Sequence, residues 1–271
     1  IIWIASYPKS GNTWVRSFLS SYIYPNEEIN IFENIQRIKK FPNKSQFKGI
    51  FEINPLEREK RFAVCSHWIT AQEKINLKNE VTLLKTHNMG GAVNGNDFTN
   101  SKNTLGVIYL IRDPRSVAVS NAYHNNISFD QSINDLLDEN ISATNDGYLF
   151  EFRSSWKVNY LSWKNKSFSK IIVKYEDLHQ DAFKNFKKIL NFVNTFKRID
   201  INDEKIKNIQ KMCQFSNLSK LEQSEGFIEK LKSEKFFRKG IIDEWKSQLN
   251  NKQIKKIEDA FFNEMKDLNY I

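Results

Sequence analysis

Residues 1–24, IIWIASYPKSGNTWVRSFLSSYIY, contain the segment on which the fold prediction depends. The first five residues are apolar, β-branched or aromatic, which is typical of a buried strand. The polar loop from Ser6 to Thr13 follows, and from Trp14 the apolar residues recur with helical spacing. A strand, a polar glycine loop and a helix in this order predict an anion site. The start of the helix offers unpaired N–H groups and the positive end of its dipole.

The loop itself carries groups that suit a phosphate. Lys9 adds a full positive charge, Ser10 and Thr13 add hydroxyl donors, and Gly11 allows the backbone to approach an anion closely. The loop is not a Walker A motif, because its Lys precedes its Gly. From these residues alone, an ordinary strand-to-helix connection with a solvated Lys remains the alternative.

The totals fit one globular domain over residues 1–271. Hydrophobic residues make up 40% and aromatic residues 13% of the chain, which argues against disorder. The net charge of +9 suits a polyanionic ligand, an acidic substrate or nucleic acid. The abundant Lys residues also fit solvated helix faces.

The cysteines give no sign of a disulfide framework or a zinc site. Cys65 and Cys213 are the only two, so a reducing cytoplasm is the default expectation. No apolar run is long enough to span a membrane, and no signal-peptide pattern is present. Ile1 stands inside a predicted strand without a preceding Met, which is consistent with trimmed upstream residues.

Strand patterns alternate with helical patterns along the chain. Strands are predicted at 1–5, 80–85, 105–111 and 170–175, with a further short strand at 61–66. The alternation predicts a parallel sheet covered by helices on both faces. Ligands of such sheets lie beyond the carboxyl ends of the strands. The loop from Met89 to Lys102 shows no periodicity and is expected to be a lid or substrate loop.

Polar residues follow the predicted strands at this edge. Lys9, His87, Arg112 and Tyr175 each come at or just after a strand end. Neutral imidazole suits proton removal from an alcohol near pH 7, and a guanidinium suits a phosphate. Each residue also has a structural alternative, such as an ion pair or a helix cap.

Five segments resemble motifs of sulfotransferases that use 3′-phosphoadenosine 5′-phosphosulfate (PAPS). Residues 8–14 resemble P-K-S-G-T-T-W, residues 85–87 resemble K-[ST]-H, residues 112–120 resemble R-[DN]-P-[RK]-D-x-A-V-S, residues 175–178 match Y-E-D-L, and residues 236–246 resemble F-x-R-K-G-x-x-G-D-W-K. The segments come in the family's order with its internal spacing. The departures are Asn12, Asn88, Ser116 and the pair Asp243-Glu244.

The resemblance implies a P-loop-like three-layer α/β fold and transfer of a sulfuryl group to an acceptor hydroxyl or amine. It implies His87 as the general base, with Lys9 and Lys85 as catalytic cations and no metal. The implied cofactor-binding residues are Lys9, Ser10, Gly11, Asn12, Thr13, Trp14, Arg112, Ser120, Tyr175, Phe215, Arg238, Lys239 and Gly240.

Three other histidines compete with His87 for the role of base. His67 is the main rival, whereas His124 and His179 are expected on the surface. His87 is preferred because the Lys-Thr-His segment at a strand end resembles the family motif.

Two other functional classes stay open from the residues. A P-loop nucleotide kinase or NTPase would need the missing G-K-[ST]. A nucleic-acid or nucleotide binder would rest on the net charge, although the charges are spread along the chain. We expect a small-molecule, glycan or lipid acceptor and no nucleic acid, and the oligomeric state stays open.

Overall fold

The computed structural model describes residues 1–24, 30–51, 58–143, 150–227, 229 and 235–271. The strands within these ranges are β1 (Ile2–Ser6), β2 (Leu83–Thr86), β3 (Ala92–Val93), β4 (Asn96–Asp97), β5 (Gly106–Ile111), β6 (Ser142–Ala143), β7 (Glu151–Phe152) and β8 (Lys170–Lys174).

The helices surround the longest strands. They are α1 (Asn12–Ile23), α2 (Ile31–Asn34), α3 (Trp68–Asn76), α4 (Pro114–Asn125), α5 (Phe129–Leu137), α6 (Trp156–Lys164), α7 (Tyr175–Gln180), α8 (Ala182–Asn194), α9 (Asp203–Met212), α10 (Phe215–Glu225), α11 (Trp245–Gln248), α12 (Asn251–Ala260) and α13 (Phe262–Asp267). Residues 35–37, 44–47 and 58–67 form 3₁₀ helices. Within the described ranges, no helix combines the length and apolarity needed to cross a membrane.

The central sheet is parallel and has the order β2-β1-β5-β8. Ile4 of β1 is in register with Lys85 on one side and with Ile108 on the other. The carboxyl ends of all four strands therefore lie along one edge. The parallel sheet predicted from the alternating pattern is confirmed.

Side chains of β1 alternate between two cores, as the period of a strand requires. Trp3 and Ala5 pack in one core together with residues of α4, α5 and α6. Ile2 and Ile4 pack in the other core, with residues of α1, α8 and α9. Helices thus cover both faces of the sheet, with one hydrophobic core on each face. The protein is therefore a three-layer structure with the sheet in the middle.

The strand predicted at 61–66 is wrong, because these residues lie in the 3₁₀ helix from Arg58 to His67. The outer edge of β2 pairs with the segment 39–41. Lys85 donates its N–H to the Lys39 carbonyl, and its own carbonyl accepts from Phe41. Burial of Phe41 at 0% exposure holds this segment in place, which the local sequence pattern did not reveal.

The loop at 89–102, expected to be a lid or substrate loop, packs against the core, and none of its residues lines the cavity described below. It contains the β3–β4 hairpin, and Phe98 is fully buried against Trp3 and Trp68. Burial of Phe98 therefore anchors the loop to the hydrophobic core. Helices α3 and α10 are among those that lie where the sequence pattern predicted none.

Candidate active site

The carboxyl ends of the sheet strands open into one cavity of about 720 Å³. Residues that follow the four strands line it: Lys9 after β1, His87 after β2, Arg112 after β5 and Tyr175 after β8. The sequence-predicted residues that line the cavity are Lys9, Gly11, Asn12, Thr13, Trp14, Lys85, His87, Arg112, Ser120, Tyr175, Phe215, Arg238, Lys239 and Gly240. Ser10 is not among them.

The loop before α1 presents its backbone to the cavity. Gly11 precedes the helix with φ of 92° and has no side chain to cap the first turn, so N–H groups there are left for a ligand. A Cβ on Gly11 would lie 2.7 Å from the Tyr175 ring. Lys9 also has a positive φ, of 67°. The loop therefore fits the predicted anion site.

Two residues of this loop differ from expectation. The Asn12 amide group donates to the Ile4 carbonyl at 3.0 Å and to Ser6 Oγ at 3.2 Å, so it braces the loop instead of offering hydrogen bonds to a ligand. Ser10 is fully buried, and its hydroxyl has no partner within the described residues. Of these two side chains, that of Asn12 thus supports the loop through hydrogen bonds.

The two lysines that the motifs single out are both buried. Burial, with Arg112 and Lys85 nearby, lowers the pKa of Lys9 to about 7. Burial, with Arg16 and Lys40 nearby, lowers the pKa of Lys85 to about 8, although Glu229 opposes the shift. Both cations would be stabilised by an anionic ligand.

The geometry of His87 fixes its tautomer. Nδ1 lies 2.8 Å from the Ser6 carbonyl oxygen, which can only accept, so Nδ1 carries the proton. Burial, followed by the charge of Lys85, lowers the pKa of His87 to about 3. The ring is therefore neutral near pH 7, and Nε2 keeps a lone pair. This is the form that a general base requires.

A carboxylate already lies between the cations. Glu229 accepts from Thr13 Oγ1 at 3.2 Å, from Arg16 Nη1 at 2.6 Å and from Lys85 Nζ at 3.3 Å. Although burial alone would raise the pKa of Glu229, Arg16 and Lys85 hold it well below its usual range. These three donors thus form an anion cradle, which we define as Thr13, Arg16 and Lys85.

Sequence reasoning missed Arg16. It lies one helical turn after Thr13, so the two side chains share a face of α1. That spacing was the available signal. Arg16 is only 3% exposed, and its Nη2 donates to the carbonyls of Ile35 and Ile38.

A second group of cations lies at the far side of the loop. Arg112 donates to the carbonyls of Lys9 at 3.2 Å and Ile241 at 2.9 Å, while its Nε is buried without a partner in the described ranges. Arg238 and Lys239 both bind the Glu244 carboxylate. Glu244 thus holds the two cations of the last motif close to the cavity.

Aromatic rings enclose the end of the cavity near α7. Arg112 lies 4.3 Å above the Tyr175 ring, and Trp14 packs against Tyr175 and His179. Phe215 lies so close to Gly240, whose φ is 67°, that a Cβ there would be 2.5 Å from the ring. A flat apolar group would fit between such rings.

The three other histidines differ in their position relative to the cavity. His67 lies outside the cavity and stacks on Phe51. His124 and His179 line the cavity. His124 is only half-buried and not fully on the surface, whereas His179 is exposed, as expected. Helix α4 turns His124 toward Phe236, and His179 contacts the Tyr175 hydroxyl.

Comparison with known proteins gives a family for this chain. A family model described as "Sulfotransferase domain" matches residues 1–269. Cytosolic sulfotransferase 14 of Arabidopsis thaliana is 31% identical over 161 residues, which cover 57% of this chain and 46% of the plant protein. That match spans about half of the plant protein's length. Amine sulfotransferase of Oryctolagus cuniculus is 23% identical over 98% of this chain and 81% of its own length.

Solved structures share the fold. A mouse sulfotransferase complexed with PAP has a TM-score of 0.63 at 21% identity, over 97% of this chain and 84% of that one. A retinol dehydratase in complex with androsterone and PAP has a TM-score of 0.56 at 16% identity, over 98% of this chain and 80% of that one. The family model matches almost every residue, and the fold is shared with solved sulfotransferases. The chain therefore belongs to the sulfotransferase domain family.

Proposed function

We propose that this sulfotransferase takes its sulfuryl group from PAPS and transfers it to an acceptor hydroxyl or amine, with His87 as general base. The observation that carries the proposal is a neutral His87, held by the bond from Nδ1 to the Ser6 carbonyl, in the same cavity as the anion cradle. PAP in the two related structures supports the choice of donor. The cysteines, both free and buried, and the cytosolic relatives support a cytoplasmic location.

In the proposed reaction, His87, Lys9 and Lys85 have different roles. The acceptor oxygen attacks the sulfur of PAPS as its proton moves to Nε2 of His87. The bond from sulfur to the bridging oxygen breaks, and its electron pair stays on the 5′-phosphate of 3′-phosphoadenosine 5′-phosphate (PAP). Lys9 and the N–H groups at the start of α1 would stabilise the charge that develops there. Lys85 would hold the sulfuryl oxygens.

The donor's other end would be held by the second group of cations. Arg112, Ser120, Arg238, Lys239 and Gly240 are proposed to bind the 3′-phosphate, which fixes the register of the donor. Trp14, Tyr175 and Phe215 would contact the adenine. Binding of this polyanion is expected to raise the low pKa of His87 toward a value useful for catalysis.

The first test is calorimetric titration with PAP beside AMP and ATP. We expect PAP to bind at least about tenfold more tightly than AMP, because only PAP engages the cations around Arg112. Equal binding of PAP and AMP would contradict the donor site. ATP turnover with Mg²⁺ would favour the nucleotide kinase instead.

The second test separates catalysis from binding. His87→Ala should lower PAPS turnover by about a hundredfold or more across a set of phenols, alcohols and amines, while PAP still binds. His67→Ala is the control, because His67 lies outside the cavity. Full turnover in His87→Ala would exclude the proposed base.

A further inference from the structure

The cavity wall beside His87 is built from the segment around β7. Met89 donates its N–H to the Phe152 carbonyl at 2.9 Å, and the Phe152 N–H donates to Asn88 Oδ1 at 2.7 Å. Asn159 Nδ2 then donates to the carbonyls of both His87 at 3.0 Å and Arg153 at 2.7 Å. These bonds fix the backbone of Arg153 next to that of His87.

Both carboxylate oxygens of Glu151 accept hydrogen bonds within this wall. Its Oε1 accepts from the His87 backbone N–H at 3.0 Å, and its Oε2 accepts from Lys40 Nζ at 2.8 Å. Although burial alone would raise the pKa of Glu151, Lys40 and Arg153 hold it well below its usual range. The carboxylate therefore serves as a charged brace for the backbone beside His87.

Arg153 is only partly neutralised by that carboxylate. Its Nη2 lies 3.6 Å from Glu151 Oε2, too far for a hydrogen bond. Its Nε is buried without a hydrogen-bond partner among the described residues. The side chain is 22% exposed and lines the cavity, so an acidic group could reach it.

The surrounding charge favours an anion over a cation. Lys39, Lys40 and Arg153 line the same cavity as His87. Among the described residues, Glu151 is the carboxylate that pairs with Lys40 and Arg153, while Glu229 pairs with Lys85 and Arg16. Asn43 and Ser45 continue the lining with polar groups. An ammonium group here would face three cations, whereas an acid group would find a partner.

We propose that the acceptor is a hydroxylated molecule that also carries an acid group, and that Arg153 binds that acid group. The acid is a carboxylate, a sulfate or a phosphate ester, since a guanidinium pairs with each of them. This inference rests on the proposed function, and it selects hydroxyl acceptors over the amines that were left open.

The test compares three phenols that differ in one group. Protein saturated with PAP is titrated calorimetrically with 3-(4-hydroxyphenyl)propionate, 4-ethylphenol and tyramine, which are anionic, neutral and cationic. We expect the propionate to bind at least about tenfold more tightly than 4-ethylphenol, and tyramine to bind most weakly. With PAPS in place of PAP, kcat/KM should follow the same order.

Arg153→Gln and Arg198→Gln form a matched pair. Both remove one guanidinium, but Arg198 is exposed between α8 and α9 and does not line the cavity. Arg153→Gln should bring the ratio of propionate to 4-ethylphenol affinity down by about tenfold, whereas Arg198→Gln should leave it unchanged. Arg153→Lys should restore part of the preference.

The outcomes separate the two proposals. If PAP binds and the propionate shows no advantage, the acidic acceptor is excluded and the sulfotransferase proposal stands. If the advantage is the same in Arg153→Gln, the assignment to Arg153 is wrong. If PAP itself does not bind, the proposed function fails and this inference falls with it.

Discussion

Buried lysines give the site a pH-dependent affinity at the residue scale. In the free protein, burial and neighbouring cations lower the pKa of Lys9 to about 7 and that of Lys85 to about 8. Phosphate groups of a bound ligand would raise both values again. Binding should therefore take up protons near neutral pH, because the complex favours the charged lysines.

We expect the Kd for PAP to rise about tenfold or more between pH 7 and pH 8.5. Below pH 7 both lysines are protonated before binding, so the affinity is highest there, and it declines as the pH rises through the free-state pKa values. Calorimetry in buffers of different ionisation enthalpy would measure the proton uptake. Lys9→Arg should flatten the dependence, and a flat profile in the unaltered protein would contradict the linkage.

Glu229 adds a second effect at this scale, because its carboxylate already occupies the anion cradle of Thr13, Arg16 and Lys85. Glu229→Gln should tighten PAPS binding by about threefold to tenfold, since the ligand no longer competes with an internal charge. Glu225→Gln, on the exposed face of α10, is the matched control. Unchanged or weaker binding in Glu229→Gln would show that no competition exists.

The start of α4 shows how one element positions site residues. Asp113 accepts from the Arg115 N–H at 2.9 Å as N-cap, and it also pairs with the Arg115 guanidinium at 2.7 Å. Arg115 in turn binds Glu258 of α12 and the Tyr270 carbonyl. The cap thereby ties α4, which carries Ser120, to the end of the chain.

Asp113→Ala should lower the free energy of unfolding by about 2–4 kcal/mol, because it removes a helix cap and leaves a buried guanidinium short of a partner. Urea unfolding followed by circular dichroism measures the change. Ser128→Ala removes the cap of α5 without such an ion pair and should cost about 1 kcal/mol. Equal losses in the two variants would show that the Asp113–Arg115 pair adds nothing.

At the scale of the whole molecule, the cavity joins segments from distant parts of the chain. Its lining runs from the loop before α1, through the ends of β2, β5 and β8, to the segment 236–244. A ligand that contacts all of them binds the folded state alone. Its binding free energy therefore adds to the stability of the whole fold.

PAP at about a hundred times its Kd should stabilise the protein by about 2.7 kcal/mol and raise the Tm by about 4–8 °C. Differential scanning calorimetry measures the shift. AMP at the same concentration should produce a much smaller shift, because it lacks the 3′-phosphate. Equal shifts would argue that the cations around Arg112 do not contact the ligand.

The sequence by itself determined the parts whose signals are local. Apolar runs predicted the strands β1, β5 and β8, and the ends of these runs placed Lys9, Arg112 and Tyr175 at or near the ligand-binding edge. The order Asp113-Pro114 directly after an apolar run is likewise typical of an N-cap followed by the first residue of a helix. Such features depend on neighbouring residues, so a linear pattern carries them.

Only the tertiary structure decided which side chains that are far apart in sequence come into contact. The pairing of Glu151 with Lys40, the approach of Glu229 to Arg16, and the Ser6 carbonyl that sets the tautomer of His87 join residues far apart in sequence. The same holds for the segment 39–41, whose backbone pairs with β2 at the edge of the sheet. Packing and burial select these contacts, and because their energy depends on the whole fold, no local pattern encodes them.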